Sequence, residues 1–356
     1  MTNPNHGQIP HVANRRRALA LGGMAVGLLS LVLLAAGLGP VAIGPGQIVG
    51  LLLDRIGFNW IEPVDARQAL VFWQIRLPRV LLGVVVGGGL GLAGAAMQAW
   101  FRNPLADPGL LGVSAGGAAG AVATIVLFHG LVGTWFGRWL LPLAAFGGAL
   151  AAVLIVMRLS RDSDGNTSPA TMLLAGIAIN AVLGSFTGLL TYLADDRQLR
   201  SLTFWSMGSL GGATWPVIGI GLVCIGVAVV LLWRTGHALN LLALGAADAQ
   251  SLGLNVRTLG RRLIAASSLA AGATVALAGM IGFIGLVAPH LVRLAFGSDH
   301  RIVLPGAFLL GALLVVAADL LARTVAAPAE IPIGILTSML GAPFFLWLLN
   351  RRRWTR

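Results

Sequence analysis

Apolar residues run through the chain in long stretches that short polar segments interrupt. A bilayer core of about 30 Å requires roughly 20 apolar residues per spanning helix. Helices are the structures that satisfy their own backbone groups within such runs. We therefore predict an all-α polytopic membrane protein with about ten transmembrane helices, at residues 18–43, 77–101, 109–131, 139–158, 171–193, 214–233, 259–281, 282–297, 302–322 and 331–349.

The boundary between the seventh and eighth spans has few sequence signals. Residues 263–296 are apolar almost throughout, and only Gly282, Gly285 and Pro289 indicate where the chain folds back. A single tilted helix in this region would leave nine spans instead of ten.

Composition supports the membrane assignment and suggests its orientation. Only 10% of the residues are charged, against about a quarter in soluble domains. The chain contains no lysine, and ten spans place sixteen of its 24 arginines on the side of the two termini. Since cytoplasmic loops carry the excess of positive charge, both termini are expected in the cytoplasm. Most of the net charge of +12 then faces the cytoplasmic side, and we expect no nucleic-acid partner.

Small and polar residues recur along single helix faces. Gly83, Gly87, Gly91 and Ala95 are four residues apart in the second span, which predicts close packing against another helix. In the fifth span the polar and small residues of one face either line a translocation path or make hydrogen bonds between helices. Both alternatives stay open for these residues, which are Asn180, Gly184, Thr187 and Thr191.

Chemical catalysis has no visible basis in this sequence. The six histidines and the single cysteine lack ligand spacing, so no metal site and no catalytic residue is predicted. Without lysine the chain has no Walker A loop for binding nucleotide phosphates, so it is expected not to be an enzyme. Ionisable residues lie mostly at span ends, and Asp319 is expected to pair with Arg323 one turn later.

Two polar segments stand out between the spans. In FRNPLADPGLLGVSAGG, residues 101–117, we expect a structural turn in which Asn103 and Asp107 satisfy backbone groups near two prolines. Between the sixth and seventh spans, a helix from Leu242 to Leu252 that ends at Gly253 predicts docking to another protein. The alternative is a helix lying on lipid, with the arginines at 257, 261 and 262 near head groups.

Several motifs, in this order, resemble those of the ten-helix permeases of binding-protein-dependent ABC importers for iron siderophores, heme and vitamin B12. The motifs are RLPR at 76–79, GAAMQAWFRNPLADPGLLGVSAGG at 94–117, LLAGIAIN at 173–180, FWSMGSL at 204–210, LALGAADAQSLGLN at 242–255, GFIGLVAPHLVRL at 282–294 and EIPIGILTSMLGAPFFLWLL at 330–349.

The resemblance implies a type II ABC importer permease fold with two inverted five-helix halves. It implies one transmembrane domain over residues 1–356, with a cytoplasmic tail at 1–17 and a cytoplasmic coupling segment at 234–262. It further implies a homodimer in the bacterial inner membrane, two ATPase subunits that bind ATP and Mg, and a periplasmic heme- or siderophore-binding protein. No cofactor is expected on this chain itself.

The same resemblance assigns roles to individual positions. Arg76, Arg79 and Arg323 correspond to arginines that bind glutamates of the binding protein, although position alone favours Arg76 and Arg79 as lipid-facing anchors. Residues expected to couple to the ATPase are Leu244, Gly245, Ala249, Leu252 and Gly253. The expected cytoplasmic gate comprises Thr167, Ser168 and Thr171, where Pro169 departs from the family pattern.

The transported substrate is the least determined property. The stretch QLRSLTFWSMGSLGGATW, residues 198–215, is most similar to the heme branch, which makes heme the first choice. A ferric siderophore comes second and vitamin B12 third. A secondary transporter or a structural scaffold stays open as a different class of function.

Overall fold

The computed structural model describes residues 9–58, 64–132, 134, 137–161 and 168–353, which form helices numbered α1 to α16 in chain order. Ten helices correspond to the ten predicted spans: α1 (Ile9–Gly37), α4 (Leu77–Trp100), α5 (Val113–Leu127), α7 (Gly137–Leu159), α8 (Pro169–Leu193), α10 (Trp215–Leu232), α13 (Val256–Ala278), α14 (Ile284–Phe296), α15 (His300–Thr324) and α16 (Ile333–Arg353). The shorter helices between them are α2 (Pro45–Asp54), α3 (Ala66–Val71), α6 (His129–Val132), α9 (Asp196–Ser206), α11 (Gly236–Leu242) and α12 (Ala246–Ser251).

In the described part of the chain, six helices are long and apolar enough to cross a membrane. These are α1 from Arg17 onward, the continuous run 66–100 that ends in α4, and α7, α8, α10 and α15. Helices α5 and α14 and the Ile333–Leu346 part of α16 are apolar but shorter. The arginines at 257, 261 and 262, which are predicted to face the cytoplasm, lie in the first two turns of α13. The predicted all-helical membrane architecture is confirmed.

Helices α4 and α15 run antiparallel and pack closely against each other. A Cβ atom on Gly87 would lie only 2.8 Å from the Cα atom of Ala312, and Gly91 packs against the carbonyl oxygen of Ala307. Each helix therefore touches the backbone of the other, which side chains larger than hydrogen would prevent. The small-residue stripe predicted in the second span is confirmed as a packing surface.

Helices α13 and α14 are separate because the backbone reverses between Ala278 and Ile284. Gly279 and Phe283 both have positive φ angles, of 72° and 67°. Such a conformation is open to glycine but uncommon for a bulky residue. The nine-span alternative is wrong, and the break begins three residues before Gly282. Pro289, one of the expected turn signals, lies inside α14.

The break lies within the bundle rather than at its surface. Near the end of α13, Thr274 approaches Gly89 in the middle of α4, and near the start of α14 the Cα atom of Gly285 is 2.6 Å from the Cβ position of Gly94. At 1.5 Å per residue, the 13 residues of α14 cover about 20 Å. Helix α14 therefore begins inside the membrane and crosses only part of it.

Helix α1 runs parallel to α15 and contacts it at both ends. Near the start of α1, Arg17 pairs with Asp299, which immediately precedes α15. Near the end of α1, Ala35 accepts a hydrogen bond from Arg323 in the last turn of α15. We call the face that contains Asp299 the inner face and the face that contains Arg323 the outer face.

Candidate functional site

Five charged residues form the outer arginine cluster, where α4 begins and α15 ends: Arg76, Arg79, Asp319, Arg323 and Glu330. Arg79 donates from Nε to Asp319 Oδ1 at 2.9 Å and from Nη1 to Glu330 Oε1 at 2.8 Å. The other carboxylate oxygen of Asp319 is 3.5 Å from Arg323 Nε, which confirms the predicted pair. Asp319 is 2% exposed, whereas the side chain of Glu330 is 51% exposed.

The remaining arginine groups of this cluster bind the end of α1. Arg76 donates to the carbonyl oxygens of Ala36, Gly37 and Val41, and Arg323 donates to those of Ala35 and Leu38. The last carbonyl groups of a helix lack partners within the helix, and its C-terminus attracts positive charge. The two arginines therefore act as a cap on α1.

Burial corrects one expectation for the outer arginines. Arg76 is 3% exposed and Arg79 is 8% exposed, so the lipid-anchor alternative is wrong for both. Docking of a binding protein on Arg76, Arg79 and Arg323 stays a prediction, and a partner carboxylate would have to displace internal acceptors. Exposed outer arginines, which the sequence did not single out, are Arg55, Arg67, Arg197 and Arg200.

Glu330 is the part of the outer arginine cluster that faces the surroundings. It lies in the segment between α15 and α16, outside the helices. The hydrogen bond from the Arg79 guanidinium holds the pKa of the Glu330 carboxyl below its usual value, against the opposing effect of partial burial. The Glu330 carboxylate therefore already binds the guanidinium group of Arg79 from the outer side.

A cavity of about 360 Å³ lies at the break between α13 and α14. Asp107, Ser114, Thr274 and Phe283 are among the residues that line it, together with the backbone of the break. The expected turn of residues 101–117 is present, because Asp107 Oδ1 accepts a hydrogen bond from the Gly109 amide at 2.7 Å. Burial raises the pKa of the Asp107 carboxyl, and this hydrogen bond opposes the shift.

The loop between α9 and α10 closes the break from the outer side. The Ser209 amide donates to the Ala278 carbonyl at 2.8 Å, and the Gly334 amide donates to the Met207 carbonyl at 2.9 Å. Backbone groups inside a membrane need such partners because no water or lipid group replaces them. Interrupted helices around a cavity are a common arrangement at the binding sites of transporters.

The four residues expected to line a path on α8 are positioned differently from one another. Asn180 donates to the Gly109 carbonyl at 3.2 Å, so it contacts the turn before α5. Thr187 and Thr191 donate to carbonyl groups one turn earlier in α8, and the Cβ position of Gly184 is open. Asn180 therefore makes a hydrogen bond to another part of the chain. A translocation path along this face of α8 stays a prediction.

The expected gate is described only in part. Thr167 lies outside the described residues. Ser168 immediately precedes α8 and Thr171 is in its first turn, and both are exposed. A gating role for them stays a prediction.

The segment expected in the cytoplasm forms two short helices, α11 and α12, and not one helix from Leu242. The chain bends at Gly245, whose φ of 135° is accessible to glycine. Leu244 and Leu252 are 64% and 61% exposed, and α12 ends just before Gly253, as expected. Ala249 is fully buried, so a contact of its side chain with a partner is ruled out in this conformation.

A second polar cluster, the inner polar cluster, joins α1, α11 and α15 at the inner face: Arg17, Asn240, Asp299, His300 and Arg301. Asp299 pairs with Arg17 at 2.5 Å and with Arg301 at 2.8 Å. Asn240 carries no signal in the sequence, because no motif surrounds it and its partners lie about 60 residues later. Within the described residues, no group of three or more His, Cys, Asp or Glu side chains is arranged to hold a metal ion.

Comparisons with known proteins place these features in a family. The model of the FecCD transport family matches residues 27–351. The hemin transport system permease protein HmuU of Yersinia pestis is 47% identical over 315 residues, covering 88% of this chain and 92% of that protein. The vitamin B12 import system permease protein BtuC of Escherichia coli O9:H4 (strain HS) is 43% identical over 313 residues, 86% of this chain and 93% of that protein.

A solved structure is similar over nearly the whole chain. It is described as an inward-facing conformation of a metal-chelate type ABC transporter. The TM-score is 0.78 at 30% sequence identity, and the match covers 93% of this chain and 98% of the other.

Proposed function

The chain belongs to the FecCD transport family, and on that premise we propose that it is the permease subunit of a binding-protein-dependent ABC importer for heme. The observation that carries the choice of heme is the 47% identity to a hemin permease over most of both chains. The permease supplies a path and two gates and performs no chemistry. It is not an enzyme in this proposal, and ATP hydrolysis takes place in partner subunits that bind ATP and Mg.

The proposed assembly is a homodimer in the bacterial inner membrane, with both termini in the cytoplasm. Helix α8 offers a surface for the second copy, because its residues Ile177 and Tyr192 are 62% and 85% exposed. Leu244 and Leu252 support docking of an ATPase subunit at the inner face, since both are large, apolar and exposed. A periplasmic binding protein then delivers heme at the outer face.

The packing of the helices supports alternating access in this assembly. Helices α4 and α15 touch through backbone atoms and move most easily as one body. Helices α13 and α14 flank the cavity, and their interrupted backbone bends more easily than a continuous helix. We propose that ATP binding and hydrolysis change the conformation of the chain at this break while α4 and α15 stay together.

The decisive experiment reconstitutes the chain with its ATPase subunit in liposomes and supplies loaded binding proteins. Heme-loaded binding protein is expected to stimulate ATP hydrolysis and heme uptake, while ferric siderophore and vitamin B12 leave both at the basal level. Removal of Mg with a chelator is the control, and it should abolish uptake.

Other outcomes identify the alternatives. Stimulation by a ferric siderophore or by vitamin B12 would replace heme as the substrate, and the 43% identity to a vitamin B12 permease keeps the latter in the test. Uptake that persists without ATPase subunit or Mg would contradict the importer and favour a secondary transporter. Absence of uptake for every substrate would favour a structural scaffold.

A further inference from the structure

Asn240 of α11 binds the first residues of α15 with both ends of its amide group. Its Nδ2 atom donates to Asp299 Oδ1 at 2.8 Å. Its Oδ1 atom accepts from the His300 backbone amide at 2.9 Å and lies 2.9 Å from His300 Nδ1. One side chain thus joins the cytoplasmic segment to the N-terminus of a membrane helix.

Close backbone packing reinforces this connection. A Cβ atom on Gly236, at the start of α11, would lie 3.1 Å from the Arg301 nitrogen and 3.2 Å from its Cα atom. Asp299 also caps α15 by accepting from the Arg301 amide at 3.0 Å. Helix α11 therefore lies directly on the first turn of α15, with little space for independent movement.

The two short helices of the cytoplasmic segment have different surroundings. In α11, Leu239 and Leu242 are 1% and 3% exposed and pack into the main hydrophobic core. Around α12, Leu244 and Leu252 are more than 60% exposed. The segment thus presents α12 to the surroundings and anchors α11 in the protein.

We propose that Asn240 is the positioning residue through which the cytoplasmic segment moves α15 during transport. The inference rests on the proposed function, because it assumes that an ATPase subunit binds at α12. A displacement of α12 passes to α11, and the amide of Asn240 transfers it to Asp299 and His300. Helix α15 then carries α4 with it through their backbone contacts.

The chemistry at position 240 is specific for an amide. Asp299 offers only acceptor atoms, whereas the His300 amide offers only a donor, so the residue between them has to donate and accept. An aspartate at 240 would place two carboxylates at a separation of 2.8 Å. The substitution itself removes no apolar group, and charge repulsion would weaken the connection between α11 and α15.

The test compares Asn240→Asp, Asp299→Asn and the double variant in the complete complex with ATPase subunits and heme-loaded binding protein. Asn240→Asp should still assemble and hydrolyse ATP. The amount of heme imported per ATP should fall about tenfold, the ratio that corresponds to losing one charge-assisted hydrogen bond. The double variant should recover most of this ratio, since the new amide at position 299 would donate to the new carboxylate at position 240, which would still accept from the His300 amide.

Asn255→Asp is the matched control. Asn255 caps α13 by accepting from the Thr258 amide at 2.9 Å, and aspartate caps helices equally well. This variant makes the same chemical change in the same cytoplasmic segment and should leave the import ratio unchanged.

Three results would overturn the proposal. These are a wild-type import ratio in Asn240→Asp, an equal loss in Asn255→Asp, and a complex that fails to assemble and is not restored by Asp299→Asn. Failure to assemble would mean that Asn240 is needed for folding and not for the movement of α15. Failure of the proposed function is recognised separately, because the wild-type complex itself would then show no heme-stimulated ATP hydrolysis.

Discussion

The outer arginine cluster and the inner polar cluster hold the same two helices, α1 and α15, at opposite faces of the membrane. At the outer face, positive guanidinium groups bind the C-terminus of α1, and Asp319 within the cluster is 2% exposed. At the inner face, the negative Asp299 caps the N-terminus of α15, and its side chain is 22% exposed. Each charge thus matches the helix end that it meets.

The difference in burial indicates which cluster contains the stronger ion pairs. Breaking a buried ion pair leaves an uncompensated charge and is costly, whereas partly exposed pairs contribute little on their own. The outer arginine cluster is therefore expected to hold the helices together throughout transport. At the inner face the ion pairs of Asp299 with Arg17 and Arg301 are expected to contribute little, so the contact between α11 and α15 depends on Asn240 and on the close backbone packing.

The largest expected effect comes from Asp319→Asn. The change leaves Arg79 and Arg323 without their buried carboxylate, so the free energy of unfolding should fall by about 3–5 kcal/mol. Denaturant titration in detergent micelles measures it. Glu330→Gln is the control, because it removes the exposed carboxylate from the same arginine and should cost at most about 1 kcal/mol. Equal losses in both variants would remove the distinction between buried and exposed partners.

A smaller effect is expected from Gly91→Ala in the helix pair that connects the two faces. The added methyl group would meet the carbonyl oxygen of Ala307, and the resulting separation of α4 and α15 should cost about 1–3 kcal/mol. The same titration applies. Gly226→Ala in α10 adds a methyl group where no atom lies within 4 Å and should change stability by less than about 0.5 kcal/mol. A neutral Gly91→Ala would contradict the close α4–α15 packing.

The smallest effect is expected from Arg17→Gln at the inner face. Asp299 keeps Arg301 and Asn240 as partners, so stability should fall by less than about 1 kcal/mol. The loss should shrink further in high salt. A loss as large as that of Asp319→Asn would contradict the contrast between the two faces.

The pH dependence at the inner face has a defined sign. The Arg301 hydrogen bond, assisted by Asn240 and Arg17, holds the pKa of the Asp299 carboxyl well below its usual value. A lowered pKa contributes stability above the ordinary value of about 3.9, and this is lost as pH falls towards the lowered value. Wild-type stability should therefore show no Asp299-dependent change between about pH 5.5 and 8. A transition in that range that disappears in Asp299→Asn would contradict this assignment.

The sequence was sufficient for the fold because membrane helices reveal themselves by length and apolarity. The sequence did not locate the break after α13, because Gly279 stands among apolar residues and resembles the glycines that pack between helices. The partners of Arg79 were equally hidden, since Asp319 and Glu330 lie 240 and 251 residues away. The burial of Ala249 was also hidden, because a small residue suits a docking face and a buried face equally well. Local patterns predict elements, whereas long-range contacts depend on the packing of the whole chain.

The backbone contact between α4 and α15 has a mechanical consequence. Helix α15 has 25 residues and is therefore roughly 37 Å long. If it tilts about its inner end as a stiff lever, a rotation of about 5° shifts its outer end by roughly 3 Å. That shift is comparable to the 2.9 Å separation of Arg79 and Asp319. Because α4 packs tightly against α15, Arg79 and Asp319 move together when α15 tilts. Their hydrogen bond at the outer face is therefore kept during the movement.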